Sequence, residues 1–357
     1  MPAGYLTADS IWNSFLNSNK RHLIITGAKG TGKTTLLKNL FPENLPGITT
    51  RAKPKEAVYL RDNLSGETAQ IGIFDETIPG FGNRMVPVQE GFASLGVNAL
   101  EHYAKSDHEW ISVDEIGYLE SHCESYLEAL RNLFDKKRVA AVVRKQNLPF
   151  LSELCNRKDS FIIDMDDPVG NIGCVIMASG LGKRFGGNKL LADFCGEPLV
   201  CRVLDSTDGI FSERVVVTRH EDVAKIAKER KIDTVLHDKP HKSDTVRLGL
   251  EALHGIERCI FIPGDQPLLR KETIVSLCLA SKNDPESIWR TAYDGTPGAP
   301  VIFPSWAFLE LQDLPEGKGG NYLTKKYPER VKTLNVRDEY ELKDVDSPND
   351  LSELLER

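Results

Sequence analysis

Short apolar runs recur along the chain, separated by stretches in which apolar residues return every third or fourth position. HLIIT (22–26), EWISVDE (109–115), RVAAVV (138–143) and SFIID (160–164) predict strands. Helical spacing falls at 33–40, 90–105, 122–135 and 147–156. Residues 55–74 alternate around Asn63 and Gly66, which predicts an antiparallel hairpin inserted beside the sheet. A polar break, MDDPVGN (165–171), follows, and then the alternation restarts. IGCVIMA (172–178), RVVVT (214–218), DTVLH (233–237), RCIFIP (258–263), SIWRTA (287–292) and PVIF (300–303) read as strands, with helices at 198–207, 221–230, 244–254 and 271–281. A last helix is expected after Ser347 as N-cap, with Pro348 at its first position. Strands alternating with helices imply the α/β class with mostly parallel sheets. Two three-layer α/β/α domains are expected, 1–168 and 169–357.

The 357 residues suit two to three domains, and a composition 40% hydrophobic and 27% charged is that of a globular chain. The net charge of −7 excludes an overall basic surface, and no aromatic–basic motif replaces it, so neither RNA nor DNA is expected as a partner. No apolar run reaches the ~20 residues of a membrane span, and MPAGYLTADS has neither a basic nor an apolar leader region. Seven cysteines without a C-x-x-C pair read as buried or free thiols in a reducing cytoplasm, the expected location.

Chemistry enters at two glycine-rich loops. Residues 27–34, GAKGTGKT, match G-x-x-x-x-G-K-[ST] between a predicted strand and a predicted helix. Backbone amides of Gly27, Lys29, Gly30, Thr31, Gly32, Lys33, Thr34 and Thr35 would surround phosphates at a helix N-terminus. Lys33 would neutralise them and the Thr34 hydroxyl would ligate Mg²⁺. The acid at a neighbouring strand tip is Asp114, a metal partner, followed by Glu115, which could polarise a water.

The second loop, VIMASGLGKRFGGNKLL (175–191), runs from a strand through Ala178, Ser179, Gly180, Gly182, Lys183 and Gly186 as nucleotide contacts. Arg184 and Lys189 supply the positive charge that an acidic protein must concentrate locally. RCIFIPGDQPLL (258–269) ends a strand at Asp265, on the sheet edge where open α/β sheets bind ligands. LKDVDSPNDL (342–351) adds Asp344, Asp346 and Asp350; these are a second carboxylate arm for Mg²⁺ or acids favouring a helix start. Asp265 and Asp346 are the expected metal pair, with Arg184, Lys189 and Asp265 as catalytic groups.

The run GAKGTGKTTL, GITTR (47–51), VQEGFASLGVNAL (88–100) and VDEIGYLE (113–120) resembles the THEP1-related nucleoside-triphosphatase family over residues 20–165. That resemblance implies ATP or GTP hydrolysis, with Glu115 as base and Arg51 either reaching the γ-phosphate or lying free on the surface. A GTP-binding adaptor of molybdenum-cofactor synthesis and a small-molecule kinase share the loop. MASGLGKRFG, Lys189, GDQP and DVDSPNDL resemble the molybdenum-cofactor nucleotidyltransferases over 172–355, which implies a Rossmann-like (GT-A-like) fold and a molybdopterin acceptor. HKSDTVRLGL (241–250) matches the family's nucleotide-holding helix start and contributes Thr245. YDGTPGAPVIF (293–303) and PEGKGGNYL (315–323) resemble the acceptor segments of the cytidylyl branch. They imply CTP as donor and Gly298, Ala299, Pro300 and Gly319 as substrate contacts. The family serine is here Gly182, and the histidine of its G-H-P core is Ala299. A molybdenum hydroxylase is the expected recipient. Guanylyl transfer, another phosphate-ester acceptor, or a cofactor-insertion chaperone without catalysis are the alternatives.

Overall fold

A computed structural model describes residues 4–78 and 84–357. It divides into two compact units, Asn19–Pro168 and Gly4–Ser18 together with Val169–Arg357. The expected domain 1–168 is therefore corrected at its start. Residues Ala8–Asn17 form a helix, α1, that the sequence pattern did not predict, and it belongs to the second unit. Thr7 and Ser10 close a reciprocal capping box at its start. Its buried Ile11 and Phe15 lie on one face, and the Ser276 hydroxyl donates to the Ser10 carbonyl (3.0 Å).

The first unit holds strands β1 (His22–Thr26), β2 (Gly47–Lys53), β3 (Ala57–Asp62), β4 (Thr68–Phe74), β5 (Met85–Pro87), β6 (Trp110–Ile116), β7 (Arg138–Val143) and β8 (Ser160–Asp164). Among the described residues they form one mixed sheet in the order β5-β4-β3-β2-β6-β7-β1-β8. The hairpin expected beside the sheet is β3–β4. It is part of the sheet itself, joined through β2, a strand the apolar pattern missed because its second half is polar and exposed. β1 is wholly buried between parallel neighbours β7 and β8. Helix α2 (Lys33–Leu40) leaves the loop after β1; α3 (Gln89–Gly91), a π-helical turn (Phe92–Gly96) and α4 (Val97–Lys105) run on from one another; α5 (Glu124–Lys136) and α6 (Pro149–Cys155) follow. In α5 the residues Tyr126, Leu127, Leu130, Leu133 and Phe134 recur at helical spacing. They enter one core with Leu100 and Tyr103 of α4 and with Val139, Ala141 and Val143, alternate residues on one face of β7.

The second unit carries β9 (Ile172–Ala178), a small ribbon of β10 (Asp193–Phe194) and β11 (Glu197–Pro198), β12 (Glu213–Thr218), β13 (Asp233–Leu236), β14 (Arg258–Pro263), β15 (Ile288–Tyr293), β16 (Thr296–Pro304) and β17 (Val331–Asn335). Its main sheet runs β13-β12-β9-β14-β16-β15-β17. It is mixed, because β16 pairs antiparallel with both β14 and β15. Its helices are α7 (Val200–Ser206), α8 (Glu221–Glu229), α9 (Lys242–Glu251), α10 (Lys271–Asn283), α11 (Phe308–Gln312), α12 (Asn321–Lys326) and α13 (Pro348–Leu355). The expected Ser347 cap and Pro348 start of α13 are present. β9 has parallel neighbours on both sides, so the loop after it leaves the sheet at a switch in strand order, where such sheets bind ligands. Among the described residues no helix is long and apolar enough to cross a membrane.

Candidate functional site

In the first unit the loop after β1 turns through Gly27, Gly30 and Gly32, all at positive φ, and ends at the N-terminus of α2, which has no side-chain cap. The open amides there suit a phosphate. Lys33 folds back onto the carbonyls of Gly27 (2.9 Å) and Ala28 (2.7 Å), and Thr31 donates to Ala28 (3.0 Å). Lys29, Thr34 and Thr35 are exposed along the loop and the first turn. The Thr34 hydroxyl donates to Asp114 Oδ1 at 3.0 Å, so the two residues expected to share a metal meet across the sheet edge. Burial raises the Asp114 carboxyl above its usual range, and the Glu115 charge adds to this against the Thr34 hydrogen bond.

β6 bulges at its end, with a register shift between Asp114 and Ile116, and Glu115 sits there at φ 85°. A non-glycine residue in the left-handed region stores strain, a recurrent property of working sites. Glu115 pairs with Arg144 at 2.5 Å. Glu120, buried, accepts from the Gly117 amide (2.8 Å), and burial pushes its carboxyl up to about 7. Sequence reasoning did not single out Arg144 or Glu120 as site residues. It also missed Asp166, whose carboxylate accepts from the Ala28 amide (3.0 and 3.1 Å) and pairs with Lys145 (3.1 Å). An acid thus occupies an amide of the phosphate loop.

In the second unit a cleft of about 500 Å³ is lined by Ser179, Gly180, Gly182, Lys183, Arg184, Lys189, Thr245, Asp265 and Asp346. Those expected residues come from four separated segments. Ala178 is buried at the end of β9, and Gly186, which turns the loop back by donating to the Gly182 carbonyl (3.1 Å), lies outside the lining. Gly182 has φ 58°, and a Cβ there would come within 2.0 Å of the Gly187 carbonyl oxygen. The loop in this protein therefore requires glycine where the resembling family has serine. The Ser179 hydroxyl donates to the Val217 carbonyl (3.1 Å) and meets His237 Nε2 (2.8 Å). The Lys239 amide donates to His237 Nδ1 (3.1 Å), so the His237 proton faces Ser179.

Lys189 is the hub of this cleft. Its buried ammonium lies 2.5 Å from Asp265 and 2.8 Å from Asp346, and Arg184 reaches Asp346 at 2.8 Å. Burial alone would lower the Lys189 pKa; the two carboxylates outweigh it and raise it. The same ammonium holds Asp346 below the usual carboxylate range. Asp350 bonds Ser347 as a capping acid, whereas Asp344 accepts from Gln266 Nε2 (3.0 Å) and lines the cleft. Lys239 and Lys242 also line it and were not anticipated.

A neighbouring pocket of about 570 Å³ contains Gly298, Ala299 and Gly319, and shares Met177, Lys242, Pro263 and Asp344 with the cleft. Pro300 is buried beside it, outside the lining, after a cis Ala299–Pro300 peptide. Arg290 fixes the pocket wall by donating twice to the Gly298 carbonyl (2.7 and 3.1 Å). Lys242, Arg290, Lys318 and Lys325 face Asp344 there, so the pocket carries a surplus of positive charge.

Each unit thus sets a phosphate-type loop at the end of an interior parallel strand with an acid beside it, and the class is a two-part nucleotide-handling enzyme. The NTPase family matches residues 22–168, and the MobA-like NTP transferase domain matches residues 174–331. Nucleoside-triphosphatase THEP1 of Thermotoga maritima is 30% identical over 151 residues, 41% of this chain and 86% of that protein. A probable molybdenum cofactor guanylyltransferase of Aquifex aeolicus is 28% identical over 119 residues, 33% of this chain and 57% of that protein. A 3-deoxy-manno-octulosonate cytidylyltransferase of Helicobacter pylori is 37% identical over 103 residues, 28% of this chain and 42% of that protein. The chain belongs to the THEP1 nucleoside-triphosphatase family through its first unit, fused to a MobA-like nucleotidyltransferase domain.

Proposed function

We propose that the second unit transfers a cytidylyl group from CTP to molybdopterin, releasing pyrophosphate, and that the first hydrolyses ATP or GTP. The observation that carries the first part is the opening of the Lys189–Asp265–Asp346 cleft into a cationic pocket across shared residues. A phosphate monoester held there is already anionic, so its attack on the α-phosphate needs no protein base. The barrier is the approach of two anions and the charge on the departing pyrophosphate. Arg184, Lys183 and Lys189 would offset that charge, while the 180–186 loop orients the triphosphate and Arg290 holds the acceptor wall.

Among the described residues no cluster of three His, Cys, Asp or Glu is arranged to hold a metal. Mg²⁺ still fits, because it commonly takes one or two carboxylates and completes its shell with phosphate oxygens and water. Asp265 and Asp346 would hold it in the second unit, and Thr34 with Asp114 in the first. When bound it adds positive charge to the triphosphate. In the first unit Glu115, held by Arg144, would orient the attacking water, and Lys33 would leave its loop carbonyls for the phosphates.

The test is incubation of the full chain with molybdopterin and each of the four nucleoside triphosphates, with the dinucleotide scored by mass. A cytosine dinucleotide with pyrophosphate supports the reading. A guanine dinucleotide corrects the donor, and no dinucleotide from any of the four rejects the acceptor.

A further inference from the structure

Beside the phosphate loop the first unit has a cavity of about 350 Å³, bounded by α2 and the loop after it, by β2 and β3, and by the end of β6. Its volume is in the range of small-ligand sites, many times that of a water. Thr34 and Asp114 form one wall, so the cavity opens at the metal end of the loop, where the outermost phosphate of a triphosphate lies. Glu115 lies outside the lining. Hydrolysis by a water at Glu115 leaves this space unused.

The charge in the cavity says what it would take. Lys38, Arg51 and Arg61 line it, opposed by Glu43 and Asp114, and Asp114 already serves Thr34. Lys38 and Arg51 act on Asp114 through space, and the Arg61 side chain lines the same cavity from β3. A guanidinium fork matches phosphate oxygens, and three cations against two carboxylates favour an anion.

We propose that this cavity binds a small phosphate monoester, and that the first unit passes the terminal phosphoryl group of its nucleotide to that ester's phosphate oxygen. The proposal rests on the reading of the first unit as a nucleotide site and names its second substrate. The ester oxygen attacks the γ-phosphorus and forms a new P–O bond while the bond to the β-phosphate oxygen breaks. The products are a diphosphate ester and a nucleoside diphosphate. The attacking oxygen is already deprotonated near neutral pH, so no proton need be transferred. Lys38, Arg51 and Arg61 offset the repulsion between the two phosphates.

The full chain is incubated with ATP and magnesium alone, then with AMP, CMP, GMP, UMP or glycerol 3-phosphate, and products are followed by phosphorus NMR. Expected is a diphosphate ester from at least one probe, with inorganic phosphate release suppressed. Arg61→Ala should lower that transfer by about tenfold or more and leave acceptor-free hydrolysis nearly unchanged. Unaltered phosphate release with every probe overturns the proposal and leaves the triphosphatase reading standing. Equal loss of hydrolysis and transfer in Arg61→Ala overturns it too. A chain that forms neither product defeats the nucleotide-site reading and the proposal together.

Discussion

Replacing Lys189 by methionine removes one positive charge from between two carboxylates and keeps the length of the stem. Lys189 is 8% exposed, Asp265 19% and Asp346 39%. Breaking a buried ion pair by deleting one partner costs roughly 3–5 kcal/mol, because the remaining charge is left poorly solvated. Here water reaches Asp346, so the lower end, about 3 kcal/mol, is expected, carried mainly by Asp265. In a unit of about 200 residues that amounts to a fall in Tm of roughly 6–12 °C. Differential scanning calorimetry of the full chain with EDTA measures it. Magnesium should restore part of the loss in Lys189→Met and move the wild-type transition less, since the bare carboxylates gain the most from a cation. A variant that melts with the wild type in EDTA, or that gains no more from magnesium, refutes the placement of the charge.

Gly182→Ser should weaken nucleotide binding in the second unit with little change in Tm, because the added Cβ strikes the Gly187 carbonyl within an exposed loop; equilibrium titration with CTP checks it. Asp166→Ala should tighten ATP binding to the first unit severalfold by freeing the Ala28 amide, and unchanged affinity would count against competition. His22 is pushed down to about 4 by burial, and its Nδ1 accepts from the Val139 amide, which leaves no room for a second ring proton. The unfolded chain takes up that proton near its ordinary value of about 6.5 and the folded chain does not, so stability falls as pH drops from 6.5 toward 4, by about 3 kcal/mol in all. Urea melts across that window should be steeper in pH for the wild type than for His22→Gln.

The helices and strands with strong local periodicity were legible: β1, β7, β9 and β14 as apolar runs, and α13 from its Ser347–Pro348 start. β2 and β17 were not, because their exposed polar residues hide the alternation. Helix α1 has a good cap and an apolar face, yet no local signal says which unit that face will meet. Both glycine-rich loops were legible as turns at strand ends because their signal lies in consecutive residues. Arg144 and Asp166 carried no such signal; each acts on a group far away in sequence.

What the amino-acid order determined by itself was therefore local: two glycine-rich loops, each between a strand and a helix or turn, and acids at strand ends. The tertiary structure decided which acids count. It joined Lys189 to Asp346 across 157 positions, turned Asp350 into a cap, and set Glu115 in a strained bulge beside Arg144. The physical reason is that charge interactions depend on distance and solvation, and both are fixed by sheet order and burial, which no stretch of sequence contains.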